Sequence, residues 1–241
     1  MAGPAPQTRS HAAWLRRLGF LAALGAPAVA EAGPWVAPDG DRTIVGAAYT
    51  ETDEVSIVET ELFIEAPLAA RISVVANHWS QAATDFEGTN TRNESVVSIK
   101  YRVMSGDRSV LAVQTGAVWD SRAAGDCGEW GGESRLLAGA ATRGGRFFVS
   151  AEAGARVQGE DCVRARYDFT LGAKPHKRLL GLAQVFLDDD LRYGETLKAQ
   201  ASLVAFERGG RGLQLGVRVR IEGEEVIQPT LLLSYWSALR R

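Results

Sequence analysis

The chain has 241 residues with 27 basic and 29 acidic side chains, long enough for one sizeable β domain and too balanced in charge for a nucleic-acid surface or a polybasic membrane patch. No segment approaches ~20 consecutive apolar residues, which excludes a membrane-spanning helix. No nucleotide loop, zinc motif or haem attachment site appears, so neither a cofactor nor a metal is expected.

Taken in chain order, residues 1–30 read as a secretory signal peptide. Arg9, Arg16 and Arg17 make a positive start, and Leu18 to Ala30 is an uncharged, largely apolar stretch too short to span a bilayer as a helix. Ala28-Val29-Ala30 and Ala30-Glu31-Ala32 compete as cleavage sites. Cleavage after residue 30 removes three arginines and no acids, leaving 24 basic against 29 acidic residues, a net charge of −5. Residues 31–40 then form a short periplasmic segment, residues 41–236 a β-barrel, and residues 237–241 a C-terminal tail.

From residue 41 to 236 the dominant period is two. Val163-Arg164-Ala165-Arg166-Tyr167-Asp168-Phe169-Thr170-Leu171 alternates apolar and polar, and Leu213 to Ile221 repeats the pattern with charge on one face only. Alternate side chains of a strand point to opposite faces, so each such segment has one apolar and one polar face. About twelve segments are predicted, at 41–50, 54–65, 71–81, 93–103, 109–119, 133–142, 146–157, 163–173, 178–188, 194–206, 212–221 and 225–236. Most reach the ~9–11 residues a tilted transmembrane strand needs. Tight connections at Pro67 to Ala70, Ser105 to Arg108, Arg143 to Gly145, Lys174 to Lys177 and Glu207 to Arg211 alternate with longer loops at 82–92, 120–132 and 189–193. An even strand count with alternating turns and loops predicts an all-β, antiparallel up-and-down transmembrane β-barrel with both termini in the periplasm.

A soluble exported ligand-binding β-protein shares the period and differs in which face lies inside. The polar faces collect Glu59, Glu61, Lys100, Arg102, Glu152, Arg156, Arg164, Arg166, Asp168, Lys198, Arg218, Arg220 and Glu222, a mixed-sign set that can pair across a narrow lumen. Tyr101, Trp119, Phe147, Tyr167, Tyr235 and Trp236 sit near strand ends, where interfacial aromatic girdles form. The segment Ile227 to Trp236 resembles the aromatic-ended terminal strand that outer-membrane barrels present to their assembly machinery, and five residues come after it.

The opening Ala32-Gly33-Pro34-Trp35-Val36-Ala37-Pro38-Asp39-Gly40 resembles that of a group of uncharacterised proteobacterial outer-membrane barrel proteins. Glu133 to Gly139, Phe148 to Gly154, Tyr167 to Gly172 and Leu182 to Phe186 are similar to the same group. The resemblance implies the fold and the outer membrane of a Gram-negative bacterium, with outer-membrane lipids, lipopolysaccharide and the barrel-assembly machinery as partners. It carries no functional residues across.

Four features bear on chemistry. Cys127 and Cys162 fall in two loops on one side of the strand map, and export predicts a disulfide between them. Asn77-His78-Trp79-Ser80, with Asn93 after the next loop, resembles the arrangement of outer-membrane phospholipase A, which implies Ser80 as nucleophile, His78 as base and Asn93 as orienter. Gln81 and Ala82 stand where that family carries asparagine and glycine. Asp188-Asp189-Asp190 falls in a predicted loop and His176 in a tight turn. The leading expectation is a non-enzymatic narrow channel or transport-related barrel for small solutes with a charged lumen. A closed structural barrel and an outer-membrane lipid hydrolase are the alternatives.

Overall fold

The computed structural model describes residues 40–52, 54–121, 127–159, 162–190, 194–207, 211–222 and 225–240. The signal peptide and the motif after it, up to residue 39, lie outside the described residues. Twelve strands run β1 Gly40–Glu51, β2 Ser56–Ala69, β3 Ile72–Asp85, β4 Gly88–Ser105, β5 Ser109–Asp120, β6 Trp130–Ala141, β7 Phe147–Gln158, β8 Val163–His176, β9 Leu179–Asp190, β10 Gly194–Phe206, β11 Gly212–Glu222 and β12 Glu225–Arg240. Each pairs antiparallel with its sequence neighbours, and β1 pairs with β12 to close the barrel. Closure leaves no free edge, so every strand's backbone finds its partners within the wall.

The two faces are inverted relative to a soluble β-barrel. Exposed large side chains occupy one phase, as in Val97, Ile99 and Tyr101 of β4, Leu213, Leu215 and Val217 of β11, and Leu231, Leu233 and Tyr235 of β12. The intervening residues, Ser98, Lys100, Gln214, Thr230 and Ser234, are buried inside. An outer wall so continuously apolar suits lipid and not water, so the soluble reading does not hold.

Several boundaries differ from expectation for identifiable reasons. Residues 82–92 are not a long loop. β3 and β4 continue to a tight hairpin in which Asp85 Oδ1 accepts from the backbone of Glu87 at 2.7 Å and of Gly88 at 3.1 Å. Gly88 takes φ 140°, which side-chain-bearing residues avoid, and Thr84 and Thr89 join their hydroxyls at 3.0 Å. The expected tail at 237–241 is also strand as far as Arg240, which pairs with Gly40. His176 ends β8 opposite Leu179 instead of sitting in the turn. Pro175 and Pro229 fall at register shifts, where a missing N–H interrupts no ladder bond.

One end of the barrel carries the start of β1 at Gly40 and the end of β12 at Arg240 and is termed the termini end. The other, the disulfide end, holds Cys127 and Cys162, bridged with a Cα–Cα distance of 5.6 Å as expected. The bridge joins the β5–β6 and β7–β8 connections. Beside it the Gln158 amide nitrogen donates to the Gly128 carbonyl at 3.3 Å and the Gln158 backbone N–H to the Cys162 carbonyl at 2.9 Å.

Candidate functional site: the barrel lumen

The lumen falls into three layers, set by where inward residues lie along their strands. Toward the disulfide end the interior is charged. Arg156 of β7 donates to Glu133 of β6 at 2.8 Å and reaches Glu94 of β4 at 2.8 Å. Arg135 pairs with Glu133 and approaches Glu152 at 3.5 Å. Arg164 meets Asp188 at 3.0 Å and Arg166 meets Asp168 at 2.9 Å. Arg218 of β11 pairs with Glu59 of β2, and Arg92 with Asp120. Arg92 also lies over the ring of Trp79, 5.9 Å from its centroid. The Arg156–Glu94 and Arg218–Glu59 pairs each join strands three apart, so they reach over the strands between them across a quarter of the wall.

Below this layer runs a belt of neutral amides and hydroxyls. Gln200 donates to Gln184 at 2.9 Å, Gln184 to Thr170 at 3.3 Å, Gln114 to Ser98 at 2.8 Å and Gln214 to Ser202 at 2.8 Å. Each amide thus satisfies part of its hydrogen-bonding capacity within the wall.

At the termini end the interior becomes apolar. Phe148, Leu180, Leu182 and Val204 form a buried cluster, with Ala141, Phe206 and Trp236 packed against it. Gly172 makes room for the Phe148 ring, since a Cβ there would lie 2.0 Å from Phe148 Cζ. Phe206 and Trp236 meet edge to face at 6.2 Å, and the Trp236 indole donates to Gln214 at 2.7 Å. Trp236 is therefore a lumen residue and not part of an outer girdle, whereas Tyr101, Phe147, Tyr167 and Tyr235 are exposed in the outward phase. On the β1–β4 side the same end is charged: Lys100 pairs with Glu65, Arg42 lies opposite Glu65 in register, and Arg102 follows Lys100 in the inward phase.

The strand registers place the predicted lumen residues Glu59, Glu61, Lys100, Arg102, Glu152, Arg156, Arg164, Arg166, Asp168, Lys198, Arg218 and Arg220 in the inward phase. Glu222 ends β11 opposite Glu225, and its side chain lies outside the described residues. Sequence reasoning missed part of the pairing set: Glu65, Arg92, Glu94, Asp120, Glu133, Arg135 and Asp188. Asp188 is no loop acid but an inward residue of β9. Glu133 and Arg135 kept the correct alternation, and that signal could have found them.

His78, Ser80 and Asn93 lie together on the outer wall, with Ser80 directly opposite Asn93 in register. The hydroxyl within reach of the imidazole, however, is that of Ser95, 2.9 Å from His78 Nδ1. No described hydrogen bond joins His78 to Ser80 or to Asn93, so the geometry expected of an activated nucleophile is not assembled at Ser80.

A closed antiparallel barrel with an apolar exterior and a charged interior defines an integral membrane β-barrel of the outer-membrane type. No family model matches the sequence, and no curated protein matches it significantly. Solved structures show where the fold recurs. The NanC porin superposes with a TM-score of 0.61 at 10% identity, covering 82% of this chain and 99% of that one. The KdgM porin gives 0.56 at 9% identity, covering 82% and 99%. An outer membrane channel from Pseudomonas putida F1 gives 0.54 at 13% identity, covering 90% and 100%. At these identities the likeness is one of fold.

Proposed function

We propose that this protein is a narrow outer-membrane channel for small solutes, exported by a cleaved signal peptide over residues 1–30 and inserted with its disulfide end outward. The observation that carries the reading is the accessibility of charge deep inside the wall. Arg166, an inward residue of β8, has 38% of its side chain uncovered by other protein atoms, so unfilled space lies beside a charge within the barrel. Twelve strands lie between the ~8 whose interior side chains fill and the ~16–18 that leave a wide aqueous pore. The fold shared with proteins named as porins and channels supports the same reading. The paired charges of the upper lumen and the apolar cluster around Phe148 make passage selective and slow, because an ion must displace paired charges and then pass a poorly wetted stretch of wall.

The test is single-channel recording of the purified protein in planar bilayers, with heat-modifiable gel migration confirming a folded barrel. Small, discrete conductance steps are expected. Folded barrel that inserts and yields no conductance at any voltage removes the channel reading.

A further inference from the structure

The ion pairs on the lumen wall are lopsided in what they show to water. Arg92 is 34% exposed while its partner Asp120 is 1% exposed, Arg164 33% against 16% for Asp188, and Arg166 38% against 11% for Asp168. The cause is side-chain length. An aspartate hugs the wall, while the arginine stem carries its guanidinium toward the bore, so a formally neutral pair presents its positive end. The Arg156–Glu94 pair runs the other way, with the arginine the more buried member.

Lys198 of β10 adds to this wall. It is half-buried, in the inward phase between Phe186 and Arg220, and among the described residues it makes no hydrogen bond or ion pair. Arg218, Glu59, Asp188 and Arg166 act on it through space. Arg166 and Lys198 flank β9, two strands apart and offset by two residues in register, so their backbones are separated by about 12 Å, a gap that two long stems can close. On the far side of Arg164 and Arg166 from Lys198, these arginines line a cavity of about 20 Å³ with Arg156, Glu94, Glu133 and Asp188, room for roughly one water.

The charge is also divided across the bore. Toward the disulfide end, β7 to β11 carry Arg156, Arg164, Arg166, Lys198, Arg218 and Arg220 in the inward phase, against Glu152, Asp168 and Asp188, with Asp190 and Glu222 in the same phase at the strand ends. On the opposite side β2 to β6 carry Glu59, Glu61, Glu94, Asp120 and Glu133 against Arg92 and Arg135. Of those acids, Glu59, Glu94, Asp120 and Glu133 are held by arginines, and Glu61 is the exposed one. A solute entering from the disulfide end therefore meets accessible cations on one wall and mostly masked acids on the other.

We propose that this region is a vestibule that binds a small anionic solute, a carboxylate or a phosphate, between Arg164 and Arg166 of β8 and Lys198 of β10. This deepens the channel reading by naming the class of solute, and it rests on that reading only for the passage of the bound solute through the barrel. Guanidinium groups hold either oxyanion through paired N–H bonds, and the ammonium adds a point charge.

The test is calorimetric titration of the folded barrel in detergent with succinate and, separately, with inorganic phosphate. Saturable binding of at least one is expected, and the tighter of the two assigns the carboxylate or the phosphate source. Lys198→Gln strips no carboxylate of its partner and is expected to weaken binding about tenfold, as loss of one charged hydrogen bond does. Arg166→Gln should do at least as much, and Arg71→Gln, in the β2–β3 turn at the termini end, should change nothing. Absence of binding by both anions, or binding equally strong in Lys198→Gln and Arg166→Gln, overturns the vestibule. Conductance without anion binding sinks this proposal and spares the channel. Anion binding without conductance does the reverse.

Discussion

The two ends of the lumen solve the problem of a filled barrel in opposite ways. The disulfide end is packed with charges that remain partly wet, while the termini end is packed with Phe148, Leu180, Leu182 and Val204 and stays dry. A wet ion pair contributes little stability but keeps its charge available to a solute. A dry apolar cluster holds the wall together by burial and offers an ion nothing. The β1–β4 side of the termini end sharpens the contrast, since it places Arg42, Glu65, Lys100 and Arg102 inward and buries the Lys100–Glu65 pair almost completely.

The comparison predicts unequal costs for similar substitutions. Glu65→Ala leaves Lys100 buried without its partner and is expected to lower unfolding stability by about 3–5 kcal/mol, with the double change Glu65→Met, Lys100→Met recovering most of it. Urea titration followed by gel mobility reads this, and a loss no larger than that of Asp168→Ala would erase the distinction between dry and wet pairs. Phe148→Ala should cost a comparable ~3–5 kcal/mol through the cavity it leaves, and it should also raise single-channel conductance by opening the base. An unchanged conductance would move the constriction up into the charged layer. Reduction of the Cys127–Cys162 bridge, which closes 35 residues, is expected to cost about 3–4 kcal/mol in the chain-entropy account. The smallest effect is expected on the outer wall. His78→Ala removes an exposed side chain bonded to Ser95 and should shift stability by less than about 0.5 kcal/mol. Hydrolysis of phospholipid vesicles by the native protein, abolished in this variant, would instead establish a lipid hydrolase.

Much of the architecture was legible because burial on one face imposes a period of two. The segment predicted at 194–206 matches β10 at both ends, and the alternation Val163 to Leu171 assigned every residue of that stretch to its observed face. The first part of β4 was not legible, for a physical reason. Gly88 to Asn93 is polar on both faces, so the hairpin has no apolar side to reveal it as strand. Trp236 was misplaced although its neighbour held the answer. Tyr235 faces outward, and adjacent strand residues cannot both do so.

By itself, then, the sequence determined the number of strands, their faces and the presence of a mixed-charge interior, because alternation is a local property of each strand. It also placed Cys127 and Cys162 where one bridge could join them. Only closure of the barrel decided which charges meet. Glu94 and Arg156 are 62 residues apart, Glu59 and Arg218 are 159 apart, and each pair joins strands that are not hydrogen-bonded neighbours. The split between a cation-presenting vestibule and a dry base has the same origin. It depends on the relative depth of inward side chains around a tilted wall, and no single strand encodes that.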